Sequence, residues 1–378
     1  MMAKLGDIAT YINGYAFKPQ DWSDEGIPII RIQDLTGNSY QANRYNGEYA
    51  SKYEVNDGDV LISWSASLGV YIWHGEKAVL NQHIFKVVFD KERISKDFFV
   101  HQVGLILENA ASDAHGATMK HLTKPVFDAL PFYLPPYKKQ CEIAEVLDKV
   151  TSLISLRKQQ LAKLDELVKA RFVEMFGDFE VNPKEFPVYH LCELCDVGSS
   201  KRIYQEEQSI SGIPFLKVAD LNELIDTGKY LCSTFIPLER YEQLLHKELT
   251  PKENDILITS RGTLGKCYIV QSDDEFYFQD GMISWLSNFS PKVSSIYISY
   301  LFAQPYIQKQ IESLQAGSTV AYLSIAMLKK MNVILPPKKL QDDFATFVEH
   351  VDQQKQTVQQ SLEKLELMKK ALMQEYFG

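Results

Sequence analysis

The places where this chain could do chemistry are a pair of spaced cysteines, one glycine-containing basic loop and several short polar loops. Cys192-Glu-Leu-Cys195, with His190 beside it, has the spacing of half a structural zinc site. Such a site needs four ligands, and no second Cys-x-x-Cys or histidine pair accompanies it. Residues 260–267, SRGTLGKC, have the composition of a phosphate loop. Only two residues separate Gly262 from Gly265, however, and Cys267 stands where Ser or Thr would hold magnesium. Pro135-Pro136-Tyr137 follows Leu134, an apolar residue where a polar side chain would be needed to hold the amino group of a base. No glycine-rich cofactor loop, His-Glu-x-x-His pair or nuclease-like cluster of carboxylates is present. No metal, no cofactor and no covalent chemistry are expected of the chain itself.

What remains are polar loops that occur in matched pairs. Residues 13–21, with Tyr15 and Lys18, answer residues 198–205, with Lys201 and Arg202. Residues 63–69, with Ser63, Ser65 and Ser67, answer residues 260–266, with Ser260, Arg261, Thr263 and Lys266. Asn81, Gln82 and His83 answer residues 279–281, which include Gln279. Residues 115–121, with Thr118 and Lys120, answer residues 316–322, with Ser318, Thr319 and Tyr322. These side-chain types reach base edges and phosphates. Singly they also make ordinary solvated loops. As a set that occurs twice and differs between copies, they suit two related surfaces reading two different ligands.

The loops sit in a duplicated frame. "LPPYKKQCEIAEVLDKV" starts at Leu134 and "LPPKKLQDDFATFVEHV" at Leu335; their Pro-Pro pairs and the Phe-Gly ends at 176 and 377 share one offset, 336 − 135 = 377 − 176 = 201. "GIPIIRIQDL" (26–35) matches "GIPFLKVADL" (212–221), and "NDGDVLISWSASLG" (56–69) matches "KENDILITSRGTLG" (252–265). The offset grows along the unit, so the second copy carries small insertions, which belong in loops. Expected boundaries are a first front at 1–137, a helix at 138–178, a second front at 179–337 and a helix at 338–378.

Each back segment reads as one long helix of about 57 Å at 1.5 Å per residue. Leu147, Val150, Ile154, Leu161, Leu164, Val168 and Met175 form a heptad stripe in the first, interrupted by Arg157 and Arg171. Phe344, Val348, Val351, Val358, Leu362, Leu365 and Leu372 do so in the second, interrupted by Lys355 and Lys369. An exposed stripe needs cover, either from its own front or from the other helix; the length favours an antiparallel coiled coil of the two helices. Such a pair would give the repeat a pseudo-two-fold axis. Each front mixes short β-rich runs ("IPIIRI", "DVLIS", "IFKVVF") with helical stretches at 97–110 and 295–315, the latter interrupted at Pro305. The expected fold class is α+β: two tandem mixed α/β domains, each followed by a long helix.

Composition bounds the rest. With 378 residues, 45% hydrophobic and 24% charged, the chain suits two soluble globular domains. No apolar run is long enough to span a bilayer and no signal-like stretch opens it, so a cytoplasmic protein without a membrane partner is expected. Five cysteines without framework spacing agree with reduced thiols. A net charge of −9 argues against a free-standing nucleic-acid binder; the acidity lies in the fronts.

At these motifs the chain resembles a known family, the specificity subunits of type I restriction–modification systems. The marks are "GDVLISWSASLG" and, more loosely, "NDILITSRGTLG", where Asn254 and Thr259 replace Gly and Ser. A Gly-Ser/Ala-Thr turn, Leu-Pro-Pro, then Gln140 or Gln341 and a long helix complete the pattern, which covers nearly the whole chain. The resemblance implies a non-catalytic recognition subunit. Each front would be a target-recognition domain for one half of a bipartite double-stranded DNA site. The helices would act as a spacer and dock two adenine-methyltransferase subunits, which would carry S-adenosylmethionine. An endonuclease/translocase subunit would join them. The alternatives are a coiled-coil adaptor without DNA specificity and, behind it, an enzyme lacking recognisable motifs.

Overall fold

The computed structural model describes residues 1–38, 43–113, 123–315 and 321–378, with side chains left aside at 112 and 113. It contains two compact units. The first is built from two separated stretches, Met1–Gln160 and Val358–Gly378, and the second is Leu161–Thr357.

The first unit opens with β1 (Met2–Lys4), α1 (Leu5–Ile8), β2 (Thr10–Asn13), β3 (Ile27–Ile30), α2 (Ile32–Leu35), β4 (Arg44–Tyr45) and β5 (Glu54–Val55). β6 (Val60–Ser63), β7 (Gly69–Ile72), β8 (Ala78–Leu80) and β9 (Ile84–Val88) follow. Then come α3 (Lys96–Asp113), α4 (Lys124–Asp128), β10 (Pro131–Tyr133) and the long α5 (Tyr137–Phe176). The second unit repeats the order with β11 (Val188–His190), β12 (Asp196–Gly198), β13 (Ile213–Leu216), α6 (Val218–Thr227), β14 (Phe235–Ile236) and α7 (Leu238–His246). β15 (Ile256–Thr259), β16 (Cys267–Ile269), β17 (Tyr277–Phe278) and β18 (Ile283–Ser287) continue it. α8 (Ser295–Phe302), α9 (Pro305–Gln315), α10 (Ile325–Lys329) and β19 (Asn332–Ile334) follow, and α11 (Lys338–Phe377) begins in this unit and ends in the first, just as α5 begins in the first and ends in this one.

Strand for strand, the sheets agree. The antiparallel order β2-β9-β6-β7 reappears as β12-β18-β15-β16, and β4-β3-β8, with β3 and β8 parallel, reappears as β14-β13-β17. β5 extends the first copy only. The run Val60-Leu61-Ile62 is continuously apolar because both faces of β6 are covered. Val60 and Ile62 join a core with Phe85, Phe98, Phe99, Phe127 and Phe132, while Leu61 joins Ile30, Val55, Leu80 and Ile84.

The family-marking residues build scaffold. Gly58 and Asn254 occupy the same turn with φ of +82° and +69°, a left-handed conformation that Gly adopts freely and Asn tolerates. Asp59 and Asp255 close that turn, accepting from Asn56 N (2.9 Å) and Lys252 N (2.8 Å). The Asn-for-Gly replacement thus preserves the turn. Gln140 and Gln341 are 1% and 0% exposed. Gln140 Oε1 accepts from Ser95 N (2.9 Å) and its Nε2 donates to Pro135 O (2.9 Å). Gln341 Oε1 accepts from Ser294 N (2.9 Å), and its Nε2 donates to Pro336 O (2.7 Å) and Lys292 O (3.1 Å). Each glutamine ties the first turn of a long helix to the start of α3 or α8.

The long helices do both things their stripes allow. In the first unit Ile143, Ala144 and Leu147 of α5 enter the core, and Leu372, Met373, Tyr376 and Phe377 of α11 pack against it. Lys158 of α5 meets Glu366 of α11 at 3.0 Å. In the second unit Phe172 and Phe176 of α5 each lie 5.4 Å from Phe344 of α11, and Lys355 pairs with Asp165 at 2.5 Å. Rising positions on α5 meet falling positions on α11, so the pairing is antiparallel. The stripes therefore cover one another and also anchor each helix to a globular front. Gly177, at φ +84°, ends α5, and Pro305 starts α9 after a break at Ala303-Gln304.

Candidate nucleic-acid interface

In the first unit the strand ends bring three of the polar loops together. Asn81 follows β8 and donates its N–H to Ile30 O (3.1 Å), at the end of the parallel neighbour β3. Tyr15 forms a parallel bridge with Asn81, and Gln82 N donates to Tyr15 O (2.8 Å). Asn81 Oδ1 accepts from Gln82 N (2.9 Å). The Tyr15 ring is 46% exposed and contacts Phe17 and Tyr53. Trp64, between the predicted Ser63 and Ser65, donates its indole N–H to Asn13 Oδ1 (3.1 Å) and meets the His83 ring at 4.9 Å. Trp64 and Asn13 were not singled out from sequence, because an isolated Trp among serines has no periodic signal. Lys18 and Ser67 are exposed. Ser63 and Ser65 are buried, and the Ser63 hydroxyl donates to Ser65 O (3.2 Å), closing the turn after β6.

The second unit assembles the equivalent loops with other chemistry. Gln279 N donates to Leu216 O (2.9 Å), the counterpart of the Asn81 contact. Thr259 ends β15 as Ser63 ends β6, and its hydroxyl accepts from Lys266 N (3.0 Å). That register places Arg261 opposite Ser65, and Gly262 (φ +73°) opposite Ala66 (φ +59°). Ser260 is 1% exposed and its hydroxyl bonds Ser284 Oγ (2.7 Å). Arg261 forms an antiparallel bridge with Tyr322 and its guanidinium lies over the Tyr322 ring, 5.1 Å from the centroid. Thr263 and Lys201 are exposed, and Lys201 N donates to Tyr277 Oη (2.8 Å). Burial pushes the Tyr277 hydroxyl up to about 12, which keeps it protonated. Thr118, Lys120, Ser318 and Thr319 lie outside the described residues.

Two of the basic side chains are held by carboxylates. Lys266 Nζ pairs with Asp226 Oδ1 (2.6 Å), and Arg202 Nε pairs with Asp280 Oδ2 (3.0 Å). Asp226 comes from α6, far enough away in sequence that the loop motifs carried no sign of it. Of the spaced cysteines, Cys192 is exposed, while Cys195 is buried and its thiol is pushed up to about 12 by that burial. Among the described residues, no group of three or more His, Cys, Asp or Glu is placed to hold a metal ion. No helix there is long and apolar enough to cross a membrane.

The geometry is that of one strand frame built twice, with the same strand ends presenting different side chains. The model of the type I restriction modification DNA specificity domain matches the chain over residues 1–166 and again over 183–367, and the chain belongs to that family. It is 25% identical over 381 residues to the type I restriction enzyme EcoBI specificity subunit of Escherichia coli, covering 92% of this chain and 78% of that one. Against the MjaVIII specificity subunit of Methanocaldococcus jannaschii the identity is 24% over 400 residues, covering 98% and 90%. The fold is similar to the crystal structure of a type I restriction–modification S subunit from M. genitalium, with a TM-score of 0.59 at 15% identity over 100% of this chain and 96% of that one. A second solved structure, from work on assembly and conformational transition of the type I system, gives 0.59 at 14% identity over 100% and 97%.

Proposed function

We propose that this chain is the DNA-reading subunit of a type I restriction–modification assembly, with each unit reading one half of a bipartite double-stranded site. The observation that carries this reading is the repetition of one loop cluster on one strand frame, with different side chains at the same register positions. Asn81 and Gln279 stand at equivalent backbone places with different side chains, and Arg261 stands where the first unit has a buried Ser65. Among the residues singled out from sequence, the exposed and half-buried ones are the readers: Tyr15, Lys18, Ser67, Asn81, Gln82 and His83 in the first unit, and Lys201, Arg202, Arg261, Thr263, Lys266, Gln279 and Tyr322 in the second. Buried Ser63, Ser65 and Ser260 instead shape the turns.

The chain performs no covalent step in this reading. Two adenine-methyltransferase subunits, which bind S-adenosylmethionine, dock on the helices and their flanks, and an endonuclease/translocase joins them. A chain of net charge −9 holds DNA weakly by itself, so the partners supply much of the phosphate clamp. The test is a map of methylated adenines in DNA from cells expressing this chain with its neighbouring methyltransferase. Two short specific blocks around a fixed gap are expected. An active methyltransferase that yields no motif would overturn the reading and leave the adaptor in its place.

A further inference from the structure

Among the differences between the two loop clusters, Arg261 has no basic counterpart across the repeat. Arg261 follows directly on the turn residue after β15, and the register-equivalent residue in the first unit is Ser65, which is buried. Three observations set Arg261 apart from the paired cations of its cluster, Lys266 and Arg202. Lys266 and Arg202 are neutralised by Asp226 and Asp280, whereas no ion pair or hydrogen bond from the Arg261 side chain exists among the described residues. Its guanidinium lies over the Tyr322 ring. The ring's backbone is clamped on both sides by one amide: Tyr322 N donates to Gln315 Oε1 (2.8 Å), and Gln315 Nε2 donates to Tyr322 O (2.8 Å).

A half-buried arginine with a buried, unpaired Nε and a fixed platform beneath it has lost most of its rotamer freedom before any ligand arrives. A phosphate is held by a lysine's point charge as well as by an arginine's fork, and such a contact carries no sequence information. The O6 and N7 acceptors of guanine take two N–H groups at once, which a planar fork already held in one orientation presents without further ordering. We propose that Arg261, held by Tyr322 and positioned by Gln315, reads a guanine in the half-site of the second unit, and that the first unit has no equivalent guanine reader at this place. The proposal rests on the DNA-reading function argued above and names one of its contacts.

The experiment maps methylated adenines for the full chain with its methyltransferase, comparing the parent with Arg261→Ala, Arg261→Lys and Gln315→Leu. A split motif from the parent establishes the underlying reading independently of Arg261; its absence with an active methyltransferase would overturn both. With the motif in hand, Arg261→Ala and Arg261→Lys are both expected to relax one G·C position in one block, with discrimination there falling roughly 10- to 100-fold and every other position unchanged. Gln315→Leu is expected to relax the same position more weakly. A purely structural role for Gln315 would weaken the whole block instead. If Arg261→Lys keeps the parent motif while Arg261→Ala lowers methylation evenly at all sites, Arg261 is a phosphate contact and the proposal is overturned. Arg261→Lys keeps the test decisive if Arg261→Ala does not fold.

Discussion

Replacing Gln341 by Leu removes the tie between α11 and α8 while nearly conserving side-chain volume. Three hydrogen bonds disappear: from Ser294 N at 2.9 Å, to Pro336 O at 2.7 Å and to Lys292 O at 3.1 Å. The orphaned groups differ in how well water can rescue them. Lys292 is exposed, so its carbonyl rehydrates; Pro336 is buried, and Ser294 N–H sits half-buried at the start of α8. One full and one partial buried orphan, at about 1–3 kcal/mol each, give a loss of about 2–4 kcal/mol. For a unit of this size that lowers the melting temperature by roughly 4–16 °C. Calorimetry on the full chain reads this, and hydrogen exchange at the Ser294 amide reports whether the loss is local. Gln140→Leu removes two bonds instead of three and is expected to cost less, in the first unit. Gln359→Leu, exposed and bonded only to Glu363, is the control and should stay within about 0.5 kcal/mol of the parent. A Gln341→Leu protein within about 1 kcal/mol of the parent, with Ser294 still protected, would refute the reasoning.

Three further outcomes are expected. Phe172→Ala removes a ring that is 1% exposed and lies against Phe176, Phe179, Tyr297 and Phe344, and should cost about 3–5 kcal/mol in denaturant titration; a loss near 1 kcal/mol would mean the aromatic cluster re-collapses. Asp226→Asn releases Lys266 from its ion pair, so the assembled complex should bind DNA more tightly and its log–log salt dependence should steepen by about one; an unchanged slope would place Lys266 away from phosphate. Burial raises the Asp352 carboxyl above 3.8, partly offset by Lys355, so the folded state binds more protons than the unfolded one between 3.8 and the raised value. Stability must then fall as pH rises through that window, and thermal melts of Asp352→Asn should lack this component; identical slopes would exclude the effect.

The sequence conveyed the frame better than the contacts, for physical reasons. A heptad stripe such as Val348, Val351, Val358 and Leu362 is a periodic signal, and the structure buries each of these residues. The matched runs around β3, β6, β13 and β15 marked the duplication because a twice-used core must be twice apolar. The domain class, the paired helices and the family were legible from such repetition. Burial inside a loop was not legible. Ser63 and Ser67 look alike in sequence, yet the hydroxyl of one closes a turn and the other is exposed. Nor do Asp226, Asp280 and Gln315 announce themselves, since each acts on a residue brought near only by the folded backbone. The resemblance rested partly on Gln140 and Gln341, and both proved to be hidden joints.

The first unit's composition from two separated stretches imposes an order on synthesis. While the ribosome is still translating the second unit, Met1–Gln160 already exists but Val358–Gly378 does not. During that interval the apolar surface that receives Leu372, Met373, Tyr376 and Phe377, including the Phe98 ring that Phe377 meets at 5.4 Å, stays uncovered. Of the two units, the one begun first is therefore finished second. The nascent chain passes through a long stage in which this surface is open to chaperones, to proteases and to aggregation. A chain that stops short of α11 leaves the first unit without this cover and is expected to be more open to proteolysis than the full chain.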